Sequence, residues 1–333
     1  MLRKLALLCL ALAVPAVGQT TLNGAGATFP YPMYSKWFSA YNKIHPDIQI
    51  NYQSIGSGGG IRQVLAQTVD FGASDGPMTD EQLSQAKVKI LHIPTVLGAD
   101  VPAYNLTGVN QELKFTPQVL AGIFLGKITS WNDPLLVKAN PGVNLPNQNI
   151  VVIHRSDGSG TTYIWTDYLS KISQEWQSGP GKGASVKWPV GLGAKGNEGV
   201  SGMIRQMDGA IGYIELIYAV QNKIPYGAVE NAAKTFVKAG LESVTAAAAS
   251  VPQMPADYRV SITNAPGKEA YPVSSFTWLL IPVQSKDAAK GKILVDFLNW
   301  MLDDGEKMTQ QLSYAPLPDS VAAKVRETIK QIH

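Results

Sequence analysis

Residues 150–162 hold the feature that most limits how this chain can fold, because an apolar run there stops in charge and then in glycine. Four consecutive apolar residues are typical of a buried strand, and Gly158 and Gly160 allow the chain to turn sharply after it. Ser159 is a good helix-capping residue, and apolar side chains recur beyond it at helical spacing. The segment therefore predicts a strand, a tight turn and a helix, with Arg155 at the strand end.

The same turn has the composition of an anion-binding site. Backbone amides in the first turn of a helix have no acceptor within the helix, and they commonly hold oxyanions. Arg155 adds a planar cationic side chain, and Asp157 can hold that guanidinium in place while balancing part of its charge. By itself, however, Gly-Ser-Gly-Thr after a strand more often marks only a capped helix.

Two earlier stretches repeat this pattern of strand, turn, hydroxyl residue and helix. Residues 22–30 carry Thr28 in the turn, and Pro30 suits the first turn of the helix that follows. Residues 48–60 alternate like a strand, turn at glycines and place Ser57 before the next helix. Three copies make it harder to interpret the pattern as a structural helix cap alone.

Residues 72–76 read Gly-Ala-Ser-Asp-Gly, which matches the nucleophile elbow of serine hydrolases and is the best enzyme signal in the chain. An elbow needs a helix directly after the serine, here Ser74, but Pro77 follows. Thr79 with Gln82 has the pattern of a capping box, which starts the helix later. We therefore expect Ser74 to end a strand rather than to act as a nucleophile.

Other signals for catalysis, cofactors or metals are weaker. A hydrolase built on Ser74 would have to use His154 or His333, and the four histidines lack metal-ligand spacing. Residues 191–196 fit the glycine pattern of dinucleotide-binding proteins, but no acidic residue follows on a strand end, so we interpret the segment as a loop. The sequence predicts no metal site and no cofactor.

The first 18 residues have the pattern of a cleavable secretory signal, with Arg3 and Lys4 before an uncharged apolar run and cleavage expected near Gln19. The one cysteine, Cys9, lies inside this signal, so the mature chain is expected to have no thiol and no disulfide. The chain has 28 basic and 25 acidic residues, and losing Arg3 and Lys4 leaves an excess of one. With no basic run, nucleic-acid or membrane-surface binding has little support.

Strand-like runs alternate with amphipathic helices through the rest of the chain, which predicts an α/β protein. Residues 211–214 and 276–282 are predicted strands, and a last helix is expected to begin at Asp319 or Ser320. With 333 residues, 45% of them hydrophobic, about two domains are expected.

The chain resembles the periplasmic phosphate-binding protein of the high-affinity phosphate ABC importer over almost its whole mature length. The segments that carry the resemblance are residues 24–30, 56–57, 70–75, 155, 157–161, 187–189, 209–213 and 317–320. It departs from the family pattern at His154, where a second arginine is common, and at Ser156, where alanine is common.

This resemblance implies the two-lobed periplasmic binding protein fold of type II, in which each lobe is a mixed sheet flanked by helices and two crossover strands form a hinge. It places the first lobe at residues 19–94 and 276–333 and the second lobe at residues 98–271. The crossings are expected near residues 95–97 and 272–275. Phosphate would be enclosed between the lobes by hinge closure.

Eight phosphate contacts follow from the resemblance, with Asp157 paired to Arg155: Thr28, Phe29, Ser57, Asp75, Arg155, Ser159, Gly160 and Thr161. A carboxylate about 4 Å from a fully ionised oxyanion would cost about 4 kcal/mol at an effective dielectric near 20. A phosphate proton between the two makes the contact favourable. Sulfate lacks that proton, so Asp75 is expected to reject it.

The function implied is a periplasmic, monomeric receptor that binds inorganic phosphate and delivers it to the transmembrane permease of an ABC importer with a cytoplasmic ATPase. Such a receptor is not an enzyme and needs no cofactor. Two alternatives stay open: a receptor for another tetrahedral oxyanion such as arsenate, sulfate or molybdate, and a secreted serine hydrolase or phosphatase that uses Ser74.

Overall fold

The computed structural model describes residues 19–250 and 253–333, so the predicted signal peptide lies outside the described residues. The strands are β1 (Thr20–Gly26), β2 (Ile48–Ser54), β3 (Phe71–Ser74), β4 (Ile90–Asn105), β5 (Lys114–Phe115), β6 (Val151–Arg155), β7 (Leu192–Ala194), β8 (Ala210–Glu215), β9 (Ala228–Glu230), β10 (Phe236–Val237) and β11 (Ser274–Pro282). The helices are α1 (Tyr31–Ile44), α2 (Ser57–Leu65), α3 (Asp80–Ser84), α4 (Pro117–Phe124), α5 (Pro134–Ala139), α6 (Gly160–Ile172), α7 (Gln174–Ser178), α8 (Gly196–Gln206), α9 (Leu216–Asn222), α10 (Leu241–Ala249), α11 (Ala288–Trp300) and α12 (Asp319–Ile329). A π-helical turn (Met301–Gly305) and a 3₁₀ segment (Glu306–Leu312) follow α11.

Eight of these strands form one mixed sheet in the order β2-β1-β3-β11-β4-β8-β6-β7. β1 is parallel to β2 and β3 on either side of it, and β6 is parallel to β7 and β8. β11 is antiparallel to both β3 and β4, and β4 is antiparallel to β8. β10, β9 and β5 form a separate small sheet. The predicted α/β class and two-lobed fold are confirmed.

The long strand β4 belongs to both halves of the sheet. It pairs with β11 up to Ala99 and with β8 from Asp100 onward. All of its residues except the last are buried, as expected for a strand covered on both faces. The two lobes are therefore halves of one continuous sheet, because β4 is hydrogen-bonded in both. The lobe boundaries and crossings predicted from the sequence lie close to this exchange of partner, and we keep them as a proposal.

Each half has its own aromatic core. In the first, Phe38 of α1 packs against Phe297 of α11 with 5.4 Å between ring centroids. In the second, Trp165 of α6 stacks on Tyr213 of β8 at 5.3 Å. Ile44, the last residue of α1, is 57% exposed because the helix ends there. The first contact packs α1 against α11, and the second holds α6 against the sheet.

The carboxyl ends of the parallel strands in the two halves face one another. Since β4 is antiparallel to β8 but runs in the same direction as β3, the strands of the second half run opposite to those of the first. Turns at the carboxyl ends of parallel strands are where open α/β sheets form their clefts. The three turns that the sequence singled out meet across this cleft. Within the described residues, none of the helices has the length and apolar character needed to cross a membrane.

Candidate anion-binding site

The amino end of α6 forms one wall of the cleft. The hydroxyl of Ser159 accepts a hydrogen bond from the backbone N–H of Thr162 at 2.9 Å, which caps the helix as predicted. Arg155, the last residue of β6, is only 3% exposed and donates from Nη1 to Thr161 Oγ1 at 3.3 Å. The cap uses the amide of Thr162, and the amide of Gly160 donates across the cleft to Ser57 Oγ at 3.0 Å.

Arg155 and Asp157 form a bidentate ion pair on this wall. Nε and Nη2 of Arg155 donate to the two oxygens of Asp157 at 2.8 and 2.6 Å, and the backbone N–H of Gly196 donates to Oδ1 at 3.1 Å. Burial disfavours charge on both side chains, but their pairing outweighs it. The pKa of Asp157 therefore lies below its usual value and the pKa of Arg155 above its own. The wall carries a fixed cation whose charge is largely balanced.

Glycines allow the two lobes to approach each other beside this ion pair. The backbone N–H of Gly58 donates to the carbonyl of Gly158 at 2.8 Å. A Cβ atom on Gly56 would lie 2.2 Å from Asp157 Oδ2. Gly56 also has a φ of +85°, which other residues rarely adopt. Both the backbone conformation and the second lobe's closeness therefore require glycine at this position.

Ser57, the first residue of α2, links the two lobes through its hydroxyl. Its Oγ accepts from the backbone N–H of Gly160 at 3.0 Å and from that of Asp75 at 3.3 Å. The hydroxyl also lies 3.4 Å from Asp75 Oδ2, to which it donates. A Cβ atom on Gly160 would fall 2.5 Å from both Ser57 Oγ and Asp75 Oδ2. A hydroxyl, a carboxyl group and a helix amide thus meet here.

Asp75 is a buried carboxyl group that directly follows β3, with 1% of its surface exposed. Its Oδ1 accepts from the hydroxyl of Thr277 on β11 at 2.8 Å. Burial raises the pKa of Asp75 to about 7, although Thr277, Arg155 and Ser57 all favour the ionised form. Asp75 can therefore exchange a proton near neutral pH, unlike a carboxyl group exposed to solvent.

Thr28 and Phe29, between β1 and α1, complete the wall contributed by the first lobe. Thr28 Oγ1 accepts from the backbone and side-chain N–H groups of Asn197 at 3.2 and 2.8 Å. The carbonyls of Thr28 and Phe29 accept from the hydroxyls of Tyr218 and Tyr314 at 2.6 and 2.5 Å. Because both carbonyls are held, the peptide groups of this turn have a fixed orientation.

All nine residues predicted for the site lie in or beside this network, so their clustering is observed while their contact with a ligand stays a prediction. The sequence interpretation missed Asn197 and Thr277, each of which hydrogen-bonds a predicted site residue. Residues 191–196, interpreted as a loop, instead contain β7 and the first residue of α8. For Asn197 the available sequence signal was the preceding residue, Gly196, a glycine at the start of an amphipathic helix. In the structure Gly196 has a φ of +71°. Thr277 had none, because it lies inside a predicted strand and the register shift beside it depends on the pairing of β11 with β4.

Ser74 does not have the geometry of a nucleophile elbow. The helix after it begins only at Asp80, behind the predicted capping box. The hydroxyl of Ser74, buried with 1% exposure, donates to the carbonyl of Gly76. The ring of His154, a candidate base, stacks on Trp188 with 4.8 Å between centroids.

A cavity of about 580 Å³ extends from Ser57 and Gly160, and Tyr163, Lys182 and Arg259 also line it. A larger depression of about 850 Å³ on the second lobe includes none of the predicted site residues. In the part of the chain that the structure describes, no cluster of three or more His, Cys, Asp or Glu side chains could hold a metal ion.

The chemistry of the cleft suits an oxyanion that still carries a proton. Helix amides, hydroxyls and one arginine supply donors for unprotonated oxygens. Asp75 supplies an acceptor for a protonated one. Because most donors are neutral and Asp157 balances the arginine, the site can hold an anion without a large net charge of its own.

Known proteins are similar to this chain over nearly its whole length. A model of the PBP superfamily domain matches residues 13–305. Phosphate-binding protein PstS of Xylella fastidiosa is 45% identical over 316 residues, covering 93% of this chain and 86% of the relative. Phosphate-binding protein PstS of Haemophilus influenzae is 44% identical over 319 residues, with 95% of each chain covered.

Solved structures share the fold at lower identity. A high affinity periplasmic phosphate-binding protein, PfluDING, bound with phosphate superposes with a TM-score of 0.74 at 21% identity, covering 92% of this chain and 93% of the other. Phosphate binding protein from Stenotrophomonas maltophilia superposes with a TM-score of 0.72 at 18% identity, with 92% and 93% covered.

Proposed function

Because this chain belongs to the PBP superfamily and, within it, to the phosphate-binding proteins PstS, we propose that its cleft binds inorganic phosphate for delivery to an ABC-type phosphate permease. The observation that carries the proposal is the cleft itself, where an ion-paired arginine, neutral donors and a protonatable carboxyl group from both lobes converge. The family resemblance seen in the sequence is confirmed by the relatives.

The proposed phosphate contacts are the eight predicted residues, with Asp157 supporting Arg155: Thr28, Phe29, Ser57, Asp75, Arg155, Ser159, Gly160 and Thr161. Their hydrogen bonds support this assignment, because the hydroxyls of Ser57 and Thr28 in the first lobe already accept from backbone amides of the second lobe. An anion that accepts from both lobes at once favours the closed arrangement over an open one.

Asp75 is proposed to select for phosphate by sharing its proton. Burial places the pKa of Asp75 at about 7, so near neutral pH either the carboxyl group or the bound phosphate can carry the proton between them. Sulfate brings no proton, and it would have to bind beside an ionised carboxylate or force Asp75 to stay protonated. Each route costs free energy that phosphate binding avoids.

Delivery requires release, so we propose that the lobes reopen when the receptor meets transmembrane permease subunits driven by a cytoplasmic ATPase. Export by residues 1–18 to the periplasm and a monomeric state remain part of the proposal. The PstS relatives support the transport role, and the continuous strand β4, hydrogen-bonded in both lobes, supplies a hinge that closing and opening could use.

The receptor is proposed to lack catalytic activity, and Ser74 is the residue on which this can be tested. A fluorophosphonate probe should leave the purified protein unlabelled, because the hydroxyl of Ser74 is buried and donates to Gly76. Labelling at Ser74 that disappears in Ser74→Ala would overturn the proposal.

Calorimetric titration of the mature protein, freed of phosphate by unfolding and dialysis, tests the function directly. We expect phosphate to bind, arsenate to compete because it also carries a proton, and sulfate and molybdate to give no saturable heat at the same pH and ionic strength. Absence of phosphate binding would refute the proposed function. Equal binding of sulfate would refute the selectivity mechanism alone.

A further inference from the structure

Asn197, the second residue of α8, is fully buried between two of the proposed phosphate contacts that come from different lobes. Its side-chain nitrogen lies 2.8 Å from Thr28 Oγ1 and 3.1 Å from Thr161 Oγ1, and it donates to both. Its side-chain oxygen accepts from the backbone N–H of Glu215 at 3.0 Å. Since only the oxygen of an amide can accept that bond, the nitrogen must face the two threonines.

Both threonine hydroxyls receive two hydrogen bonds in this arrangement. Thr28 Oγ1 accepts from the side chain of Asn197 and from its backbone N–H at 3.2 Å. Thr161 Oγ1 accepts from Asn197 and from Nη1 of Arg155 at 3.3 Å. A hydroxyl has two lone pairs and one proton, so each oxygen has used its accepting capacity and keeps only its O–H bond to donate.

We propose that Asn197 is a positioning residue that fixes the hydroxyls of Thr28 and Thr161 as donors to the bound anion. The inference rests on the proposed phosphate function and adds a residue through which the two lobes share one donor set. With both hydroxyls committed to donating, a protonated phosphate oxygen finds no acceptor on this side. It turns instead towards Asp75, so Asn197 also orients the ligand.

The arrangement depends on closure, because Thr28 belongs to the first lobe while Asn197 and Thr161 belong to the second. When the lobes separate, Thr28 loses both bonds from Asn197 and its hydroxyl can rotate freely. Asn197 thereby ties the donor geometry of the site to the closed arrangement without adding charge.

A double-mutant cycle with Thr28→Val tests the proposal by phosphate titration. Asn197→Ala alone and Thr28→Val alone should each weaken phosphate binding by about tenfold, the usual effect of a lost hydrogen bond to a charged group. If Asn197 acts through the threonine hydroxyl, the double variant binds little worse than the weaker single variant. Thr28→Ser, which keeps the hydroxyl, should retain most of the affinity.

Asn231 provides a matched control on the second lobe. It is 1% exposed and its amide donates to the carbonyls of Gly267, Lys268 and Ala270. Asn231→Ala should lower stability, leave phosphate affinity within about twofold, and combine additively with Thr28→Val.

Additive losses for Asn197→Ala and Thr28→Val would overturn the positioning role, provided that the parent binds phosphate. Failure of the parent to bind would instead remove the proposed function. Should Asn197→Ala not fold, Asn197→Asp serves in the same cycle. Its carboxylate still accepts from the backbone N–H of Glu215. It also accepts the hydroxyl proton of Thr28, which is then no longer donated to the anion. In that background Thr28→Val should cost no further affinity, and a further loss of about tenfold would contradict the proposal.

Discussion

Asp75 and Asp157 lie on opposite walls of the same cleft, yet their surroundings move their pKa values in opposite directions. Burial is the largest influence on both, and it disfavours the ionised form of each. Asp157 receives two bonds from Arg155 and one from a backbone amide, so its pKa falls below the usual value. Asp75 receives hydroxyl donors instead, and its pKa rises to about 7.

The difference has two causes: Asp157 is less deeply buried than Asp75, and its bidentate guanidinium favours the ionised form more strongly than the hydroxyls around Asp75 do. The two carboxyl groups consequently have different tasks. Asp157 stays ionised, holds Arg155 in place and balances its charge. Asp75 can take or give a proton near neutral pH, which is what a site that distinguishes phosphate from sulfate needs.

Arg155→Ala removes the ion pair with Asp157 and should have the largest effect on phosphate affinity. It removes the cation from the site and leaves Asp157 partly buried and unpaired beside the anion, so phosphate affinity should fall by about 100-fold or more. Calorimetric titration measures this change. Arg326→Ala, which breaks the exposed pair with Asp303, is the control and should leave affinity within about twofold. A similar loss in both variants would remove the special role of Arg155.

Gly56→Ala disturbs the same wall by contact without changing any charge. The new methyl group would meet Asp157 Oδ2, so we expect closure to be hindered and phosphate affinity to fall by about tenfold. Gly108 is a close match, because its φ is +84° but no atom lies within 4 Å of an added Cβ. Gly108→Ala should lose a similar stability to urea, about 1 kcal/mol, with phosphate affinity unchanged. Equal affinities of the two variants would show that the Gly56 contact is unimportant.

Thr277→Val tests how far a neutral hydroxyl controls the pKa of Asp75. A carboxyl group with a raised pKa in the folded state stabilises the protein at low pH, and that stability is lost as pH rises from about 4 to about 7. The hydroxyl of Thr277 favours the ionised form, so removing it should raise the pKa of Asp75 further and extend the loss above pH 7. Buried Asp100 and Glu215, whose pKa values burial also raises, contribute in the same direction.

Urea unfolding at pH 6 and pH 8 without phosphate measures this effect. The fall in unfolding free energy between the two pH values should be larger in Thr277→Val than in the parent by about 1 kcal/mol. Thr277→Ser, which keeps the donor, should behave like the parent. An equal fall in Thr277→Val and the parent would mean that the hydroxyl does not control the protonation of Asp75.

Local patterns in the sequence were enough to place the strand and helix around each of the three turns, the cap at Ser159 and the start of α12 at Asp319. They could not show that β4 joins both halves of the sheet, because pairing with β8 is set by tertiary packing. Asn197 and Thr277 were missed for a similar reason, since they bond to residues 169 and 202 positions away. The raised pKa of Asp75 likewise depends on burial by distant elements.

The substitution Asp75→Asn gives the most direct test of proton sharing between this carboxyl group and phosphate. The change keeps the size of the side chain and one acceptor oxygen, so phosphate affinity should stay within about tenfold of the parent. Removing the negative charge removes the barrier to sulfate, and the phosphate-to-sulfate affinity ratio should fall by about 100-fold or more. Both anions are titrated by calorimetry at one pH and ionic strength. If the Asp75→Asn protein still rejects sulfate as firmly as the parent does, charge on Asp75 is not the basis of selectivity.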